Sequence, residues 1–187
     1  MVQCAFRTKK VERITDTMFR IEEINPTHRQ AFLLASNQSI ELHADWVTPP
    51  LDDAGFDKHL EKYKSDKNYS FVAMHENTNL IGCINLNEIV YGVLQSAYLG
   101  YYVFSPYEGN GLMSQALRLV INEAFSTLKL HRLEANIQTG NGRSINLVRS
   151  IGFRHEGHSE KYLQINGIWQ DHERFAILSE EFTAAPM

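Results

Sequence analysis

The spacing of apolar positions changes from segment to segment along the chain, and each spacing predicts one kind of element. Residues 17–24 and 69–75 have the β-branched and aromatic composition of strands. Between them, residues 27–37 and 55–65 show polar helical patterns, and two prolines at 49–50 end the connection between these helices. This part of the chain therefore predicts a strand, two helices and a second strand.

The pattern becomes sharper after residue 80. Residues 80–86 and 97–104 predict two strands, and a turn at 91–92 predicts that they form a hairpin. After Pro106, apolar residues fall three or four apart, which predicts a long helix with one face packed on the sheet. That face comprises Met113, Ala116, Leu117, Val120, Ile121, Ala124 and Phe125.

The last third of the chain predicts three more strands and one more helix. In chain order these are a strand at 132–138, a helix from an Asn141 N-cap to Gly152, and strands at 160–165 and 169–178 joined by an Asn-Gly turn at 166–167. The succession of strands and helices predicts a mixed sheet of the α/β (α+β) class.

Size and charge limit the classes of function. The chain has 187 residues, which suits a single domain over 1–187, with 183–187 as a short flexible tail. No run of about 18 apolar residues is present, so we expect no membrane span. Eighteen Lys and Arg against 22 Asp and Glu give a net charge of −4, which disfavours direct nucleic-acid binding and favours amine partners.

Cysteine and histidine positions indicate neither disulfides nor a metal site. Of the two cysteines, Cys4 lies near the start and Cys83 lies in an apolar stretch where we expect it to fill the core. The first residues show no secretory signal, so a reducing cytoplasm is the expected location. His155 and His158 lie three apart, a spacing that predicts opposite faces of an extended strand, and hence no metal.

A strand that runs into a glycine turn and then a helix is the first stretch with candidate chemistry. Residues 103–114 read Val-Phe-Ser-Pro-Tyr-Glu-Gly-Asn-Gly-Leu-Met-Ser. Glycines let the backbone approach an anion, and the free N–H groups of a helix start favour negative charge. A glycine turn before a helix is also common without any ligand. The prediction of a phosphate cradle therefore depends on its neighbours.

The second informative stretch, residues 141–153, places Asn141 and Ser144 at the start of the short helix. Each residue alone suits a plain helix start. Together with the glycine turn, they resemble the GNAT acetyltransferases, whose motif is Gln/Arg-x-x-Gly-x-Gly/Ala followed downstream by Asn-x-x-Ser/Ala and Gly-Phe. With residues 107–113 and 162–172, the chain looks most similar to the ribosomal-protein N-terminal (alanine) acetyltransferases of the RimJ/RimL type.

This resemblance implies a single-domain GNAT fold, in which a mixed, mostly antiparallel sheet is splayed between two central strands with helices on both faces. It implies acetyl-CoA as co-substrate in the resulting wedge, and no metal. Asn141 would contact the pantetheine arm, and Ser144 would donate a proton to the leaving thiolate. The implied cofactor-binding residues are Tyr102, Val103, Phe104, Glu108, Gly109, Asn110, Gly111, Leu112, Met113, Ser114, Asn141 and Asn146.

Three positions depart from the family pattern. Glu108 replaces Gln or Arg, and we expect its side chain to turn to solvent so that the backbone cradle survives. Met113 replaces a small residue, as this subfamily commonly does. Tyr98 stands where many relatives carry Glu, so the carboxylate base of those relatives is missing.

The missing base bears on the acceptor. A peptide α-amine has a pKa of about 8 and a lysine amine one of about 10.4, so a protein N-terminus loses its proton without a strong base. Glu88, Asn85 or the Tyr98 hydroxyl, with water, are candidates to receive that proton. The resemblance thus implies direct attack by a protein N-terminus, such as that of a ribosomal protein, in a ternary complex on a monomer or homodimer.

Two alternatives remain open. The same scaffold suits acetylation of a small amine, such as a polyamine, an amino acid or an antibiotic. A non-catalytic CoA-binding or ribosome-assembly protein would explain Glu108 and Tyr98 as signs of a degraded site. Acidic residues are candidates to line the acceptor entrance for either amine class, or belong to a solvated loop: Glu41, Asp45, Asp52 and Asp53.

Overall fold

The computed structural model describes residues 19–75 and 79–183, which form one seven-stranded sheet in the order β1-β2-β3-β4-β5-β7-β6. The strands are β1 (Phe19–Glu23), β2 (Tyr69–His75), β3 (Asn79–Val90), β4 (Ser96–Val103), β5 (Arg132–Gln138), β6 (Arg154–Ile165) and β7 (Ile168–Leu178). The helices are α1 (Arg29–Gln38), α2 (Ile40–His43), α3 (Asp53–Lys62), α4 (Leu112–Ser126) and α5 (Gly142–Ile151). Only β4 and β5 pair in parallel, so the mixed, mostly antiparallel sheet is confirmed.

Both faces of the sheet carry helices, as predicted. On one face, α4 and α5 cover a core that includes the apolar face of α4 and the inward residues of β5. On the other face, α1 to α3 cover a smaller core around Phe32, whose ring meets those of Phe56 and Phe104 edge to face. Within the described ranges, no helix is long and apolar enough to cross a membrane.

Several sequence predictions fall partly outside the described residues. The positions outside the described ranges are Thr17 of the predicted first strand, Cys4, and residues 184–187 of the predicted tail. Cys83 is fully buried, as expected. The predicted helix at 55–65 starts earlier, at Asp53, because the Asp52 carboxylate accepts the Gly55 N–H at 2.7 Å and so caps the helix.

A β-bulge in β6 overturns the prediction for the two histidines. The register with β7 shifts between His155 and Gly157, and Gly157 has a φ of 145° that an L side chain rarely adopts. Both His155 and His158 therefore contact the same carboxylate, that of Glu173, instead of lying on opposite faces. The bulge also breaks the strict alternation of this segment. The sequence therefore predicted a strand only from residue 160, although β6 begins at Arg154.

The close approach of β3 to β4 depends on Gly82. A Cβ at Gly82 would lie 2.5 Å from the Tyr102 carbonyl oxygen and 3.1 Å from the Met113 sulfur. A backbone atom cannot move aside as a flexible side chain can. Gly82 therefore lets the sheet and α4 pack together directly beneath the end of β4.

We predict that Gly82→Ala lowers the free energy of unfolding by about 1–3 kcal/mol, because the added methyl group overpacks this contact. Gly142→Ala is the matched control, since its Cβ would meet nothing within 4 Å. Urea denaturation measures both variants. Equal stability of the two variants would contradict the packing argument.

Candidate functional site

The two parallel strands at the centre of the sheet part after three paired positions. Ser96, Ala97 and Tyr98 pair with Arg132, Leu133 and Glu134, and the described residues show no further pairing between β4 and β5. Beyond this point β4 stays paired with β3, and β5 stays paired with β7. The result is a wedge, the β4–β5 gap, that opens from the Tyr98–Glu134 pair toward the ends of both strands.

Strand alternation decides which backbone groups of β4 face this gap. The Phe104 N–H donates to the Ile81 carbonyl at 2.7 Å, so Phe104 and Tyr102 direct their backbone groups to β3. Tyr101 and Val103 then direct theirs toward β5, into the gap. The predicted cofactor residue Val103 thus borders the gap, and Tyr101 does too, although the sequence analysis did not name it.

Phe104 has no free backbone group or side chain that could bind a ligand in the gap. Its N–H is taken by Ile81, its carbonyl accepts the Tyr107 N–H at 2.9 Å, and its side chain is fully buried. Tyr102 likewise directs its backbone to β3, because it lies two residues before Phe104 on the same strand. These two predicted residues therefore support the gap from its rear instead of bordering it.

The glycine turn before α4 has the geometry of an anion cradle. Gly109 and Gly111 have φ values of 78° and 76°, and a Cβ at either position would point into open space. The first helical hydrogen bonds come from the N–H groups of Ser114 and Gln115, which share the Gly111 carbonyl. In the described part of the chain, the N–H groups of 108–113 find no acceptor. They are free to bind a pyrophosphate.

Glu108 does not turn to solvent, which corrects the prediction. Its Oε1 lies 3.4 Å from the Ser105 hydroxyl, which donates to it, and its Oε2 is buried without a partner among the described residues. The contact with the Ser105 hydroxyl keeps the Glu108 side chain from turning to solvent. The carboxylate is thereby held against the start of the turn, while the backbone N–H row remains free.

The first turn of α5 is fixed by two hydrogen bonds. The Asn141 side-chain oxygen accepts the Ser144 N–H at 3.0 Å, so Asn141 is the N-cap that the sequence predicts. The Tyr101 hydroxyl donates to the Ser144 carbonyl at 3.2 Å, which ties α5 to the free arm of β4. Burial raises the pKa of Tyr101 to about 12, so it stays a neutral donor. Ser144 is half-buried and Asn146 is exposed.

Tyr98 and Glu88 lie at the closed end of the gap. A hydrogen bond with Tyr162, together with burial, raises the pKa of Tyr98 to about 12. The phenol is therefore neutral at pH 7 and can pass on a proton but not act as a phenolate base. Glu88 is exposed on a β3 irregularity, with its N–H bound to the Asn68 side chain, and its charge contributes to the high pKa of Tyr98.

A short segment, residues 43–48, crosses the gap on the α1–α3 face; we call it the strap. Its anchors reach both arms of the gap and the β6–β7 turn. They are His43 Nε2 to the Val103 carbonyl at 2.7 Å, Gln138 Nε2 to the Asp45 carbonyl at 3.1 Å, Asn166 Nδ2 to the Ala44 carbonyl at 2.9 Å, and Thr48 to Asn166 at 3.0 Å. Burial lowers the pKa of His43 and keeps it neutral. No local sequence pattern indicates these long-range contacts.

The four acidic candidates separate into two groups. Glu41 lines a cavity of about 320 Å³ with Trp46 and Asn141, and Asp45 is exposed on the strap. Asp52 caps α3 and Asp53 pairs with Arg29 on the surface, so both have structural partners. Within the described ranges, no cluster of His, Cys, Asp and Glu is arranged to hold a metal ion.

We predict that Asn141→Ala lowers the free energy of unfolding by about 1 kcal/mol, because α5 loses its N-cap. Asn141→Asp keeps an oxygen at the same place and should leave stability nearly unchanged. Denaturant unfolding of both variants checks this. An alanine variant as stable as the wild type would show that the cap does not contribute.

Comparisons with known proteins agree with this geometry. The family model described as acetyltransferase (GNAT) domain matches residues 19–154. A probable N-acetyltransferase, YjcK, of Bacillus subtilis is 38% identical over 125 residues, 66% of this chain and 69% of that protein. The ribosomal protein uS5-alanine N-acetyltransferase of Escherichia coli is 35% identical over 108 residues, 58% of this chain and 56% of that protein.

The chain is also similar to a polyamine acetyltransferase and to a solved structure. A spermidine N(1)-acetyltransferase of Vibrio cholerae is 26% identical over 155 residues, 81% of this chain and 88% of that protein. The crystal structure of a ribosomal-protein-S5-alanine acetyltransferase from Vibrio fischeri superimposes with a TM-score of 0.80 at 23% identity, covering 91% of this chain and 98% of that one. The splayed sheet, the anion cradle and the family match lead to one conclusion: the chain belongs to the GNAT family and is an N-acetyltransferase.

Proposed function

We propose that this enzyme transfers acetyl from acetyl-CoA to the α-amine of a protein N-terminus, and that the acceptor is a ribosomal protein. The observation that carries the cofactor part is the row of free N–H groups at 108–113 beside the open end of the β4–β5 gap. The pyrophosphate suits that row, and the pantetheine amides suit the backbone of Tyr101 and the N–H of Val103, whose carbonyl is bound by His43. Asn141 has its side-chain oxygen in the cap, which leaves its NH₂ group for the ligand.

The chemistry is direct acyl transfer. The neutral amine attacks the thioester carbonyl carbon, a C–N bond forms, and the C–S bond breaks with release of CoA. Ser144 donates a proton to the leaving sulfur. The surplus proton on the nitrogen of the tetrahedral intermediate passes to water, through the Tyr98 hydroxyl or Glu88 at the closed end of the gap, and Ser144 regains its own proton from solvent. An α-amine with a pKa of about 8 supplies enough neutral nucleophile without a strong base.

The choice of a protein N-terminus over a small amine has two supports. The relative that acts on ribosomal protein uS5 is 35% identical, against 26% for the spermidine acetyltransferase, although over a shorter stretch. Tyr98, in the position where many relatives have a carboxylate, carries no charge near pH 7. A polyamine acetyltransferase remains the second candidate, because such relatives align over most of the chain.

The acceptor prediction is tested by mass spectrometry of acetyl transfer across matched acceptors. We expect acetylation of peptides that begin with a small residue such as Ala, and no product when the same N-terminus is blocked. Lysine-bearing blocked peptides, spermidine and aminoglycosides are the comparison acceptors. Product on small amines alone would move the assignment to the second candidate, and tight CoA binding without turnover would contradict an enzymatic role.

The role of Ser144 predicts a loss of turnover on substitution. Ser144→Ala should lower kcat by about 100-fold or more, because the thiolate leaves without its proton donor. Ser150→Ala is the matched control, since Ser150 lies exposed on the same helix with its hydroxyl on the Leu147 carbonyl. Steady-state kinetics across pH measures both, and full turnover with an unchanged pH profile in Ser144→Ala would contradict the role.

A further inference from the structure

The side-chain layer on the strap face has an opening directly beside the β4–β5 gap. Tyr98, Gly100 and Tyr102 alternate on this face of β4, and Gly100 is the first of them beyond the last β4–β5 pair. Because Gly100 has no side chain, a space lies over it between the two tyrosines. A group that approaches the gap from this face enters that space.

An oriented amide borders the space on the β3 side. The Nδ2 atom of Asn87 lies 3.5 Å from where a Cβ of Gly100 would be. The Tyr63 hydroxyl donates to the Asn87 Oδ1 atom at 2.9 Å, and Tyr63 is buried. Since its oxygen is occupied by Tyr63, Asn87 presents its NH₂ donor to the space.

A second amide, that of Asn136, lies on β5 two residues beyond the last β4–β5 pair. Leu133, Ala135 and Ile137 face the α4–α5 core, so Asn136 faces the strap. Its Oδ1 atom is buried and has no hydrogen-bond partner among the described residues. Buried acceptors without partners cost free energy, which points to a ligand that supplies donors.

The charges around the space do not suit a polycation. Glu134 is held by Arg132 at 2.8 Å. Arg174 pairs in register with Asn136 across β5 and β7, and adds a positive charge on that side. Glu88 is exposed at the other end, beside Tyr98. The space therefore offers one uncharged acceptor and one uncharged donor, and among residues 19–75 and 79–183 no unpaired carboxylate lies directly between them.

We propose that Asn136 and Asn87 together recognise an amine that stands next to a carbonyl group. Asn136 Oδ1 accepts an N–H of the attacking amine, and Asn87 Nδ2 donates to the carbonyl oxygen of the first residue of the acceptor. A peptide N-terminus has this arrangement, whereas a polyamine has only methylene groups beside its amine. The inference rests on the proposed function, because it explains how that site selects an N-terminus, and it makes Asn87 a specificity-determining residue.

The test compares two acceptor peptides in wild type and Asn87→Ala. One peptide begins with Ala, and the other replaces its first peptide bond by a trans-alkene, which keeps the shape and removes the carbonyl oxygen. We expect wild-type kcat/KM, expressed per neutral amine because the alkene also raises the pKa of the amine, to fall by about ten- to hundredfold on the alkene, since the Asn87 donor is left without a partner. In Asn87→Ala, kcat/KM for the two peptides should be nearly equal and low.

Two further variants separate the roles. Asn136→Ala should lower kcat/KM for both peptides by the same factor, since both carry the amine. Asn122→Ala, on the exposed face of α4, is the control and should keep the wild-type ratio between the peptides. Thermal unfolding of each variant confirms that it is folded.

The outcomes are distinct. A wild-type ratio near one, or a wild-type ratio retained in Asn87→Ala, would overturn the inference while leaving N-terminal acetylation intact. Transfer to spermidine with none to either peptide would instead overturn the proposed function, and the inference with it.

Discussion

The parting of β4 and β5 after the Tyr98–Glu134 pair is the constraint on which the site depends. Backbone groups in a sheet interior normally satisfy one another, and here the groups of Tyr101 and Val103 face a gap instead. The fold tolerates this because each arm keeps its outer neighbour, β3 for one and β7 for the other. The same parting places the anion cradle at the open end of the gap and Tyr98, with Glu134 and Glu88 beside it, at the closed end.

Hydrogen bonds across both faces set the width of the gap. On the α4–α5 face, Tyr101 ties β4 to the first turn of α5. On the other face, the strap reaches the end of β4 through His43 and the end of β5 through Gln138. Because no ladder joins the arms there, these side-chain contacts replace it. The proposed cofactor site and the proposed acceptor site thus share these two strands but are bounded by different side chains.

The elements with strong local patterns were predictable from sequence. Strands at 69–75 and 132–138, the long helix α4 and the Asn141 cap follow from alternation, helical spacing and capping chemistry. The splay itself was predicted only from the family resemblance, since the residues of β4 and β5 alternate like those of any paired strands. The contacts of the strap and the Tyr101 tie join residues far apart in sequence, which no local pattern encodes. The bulge at Gly157 and the Ser105 contact of Glu108 reversed two predictions for equally specific local reasons.

The central claim is that acetyl-CoA binds along the free edge of β4, and amide hydrogen exchange tests it most directly. Tyr101 and Val103 have N–H groups that face the gap, whereas those of the alternate residues Gly100 and Tyr102 face β3. Saturating acetyl-CoA should slow amide exchange at Tyr101 and Val103, because these two N–H groups gain a partner. The exchange rates at Gly100 and Tyr102 should stay largely unchanged. Unchanged exchange at Tyr101 and Val103 in the presence of bound acetyl-CoA would contradict the account.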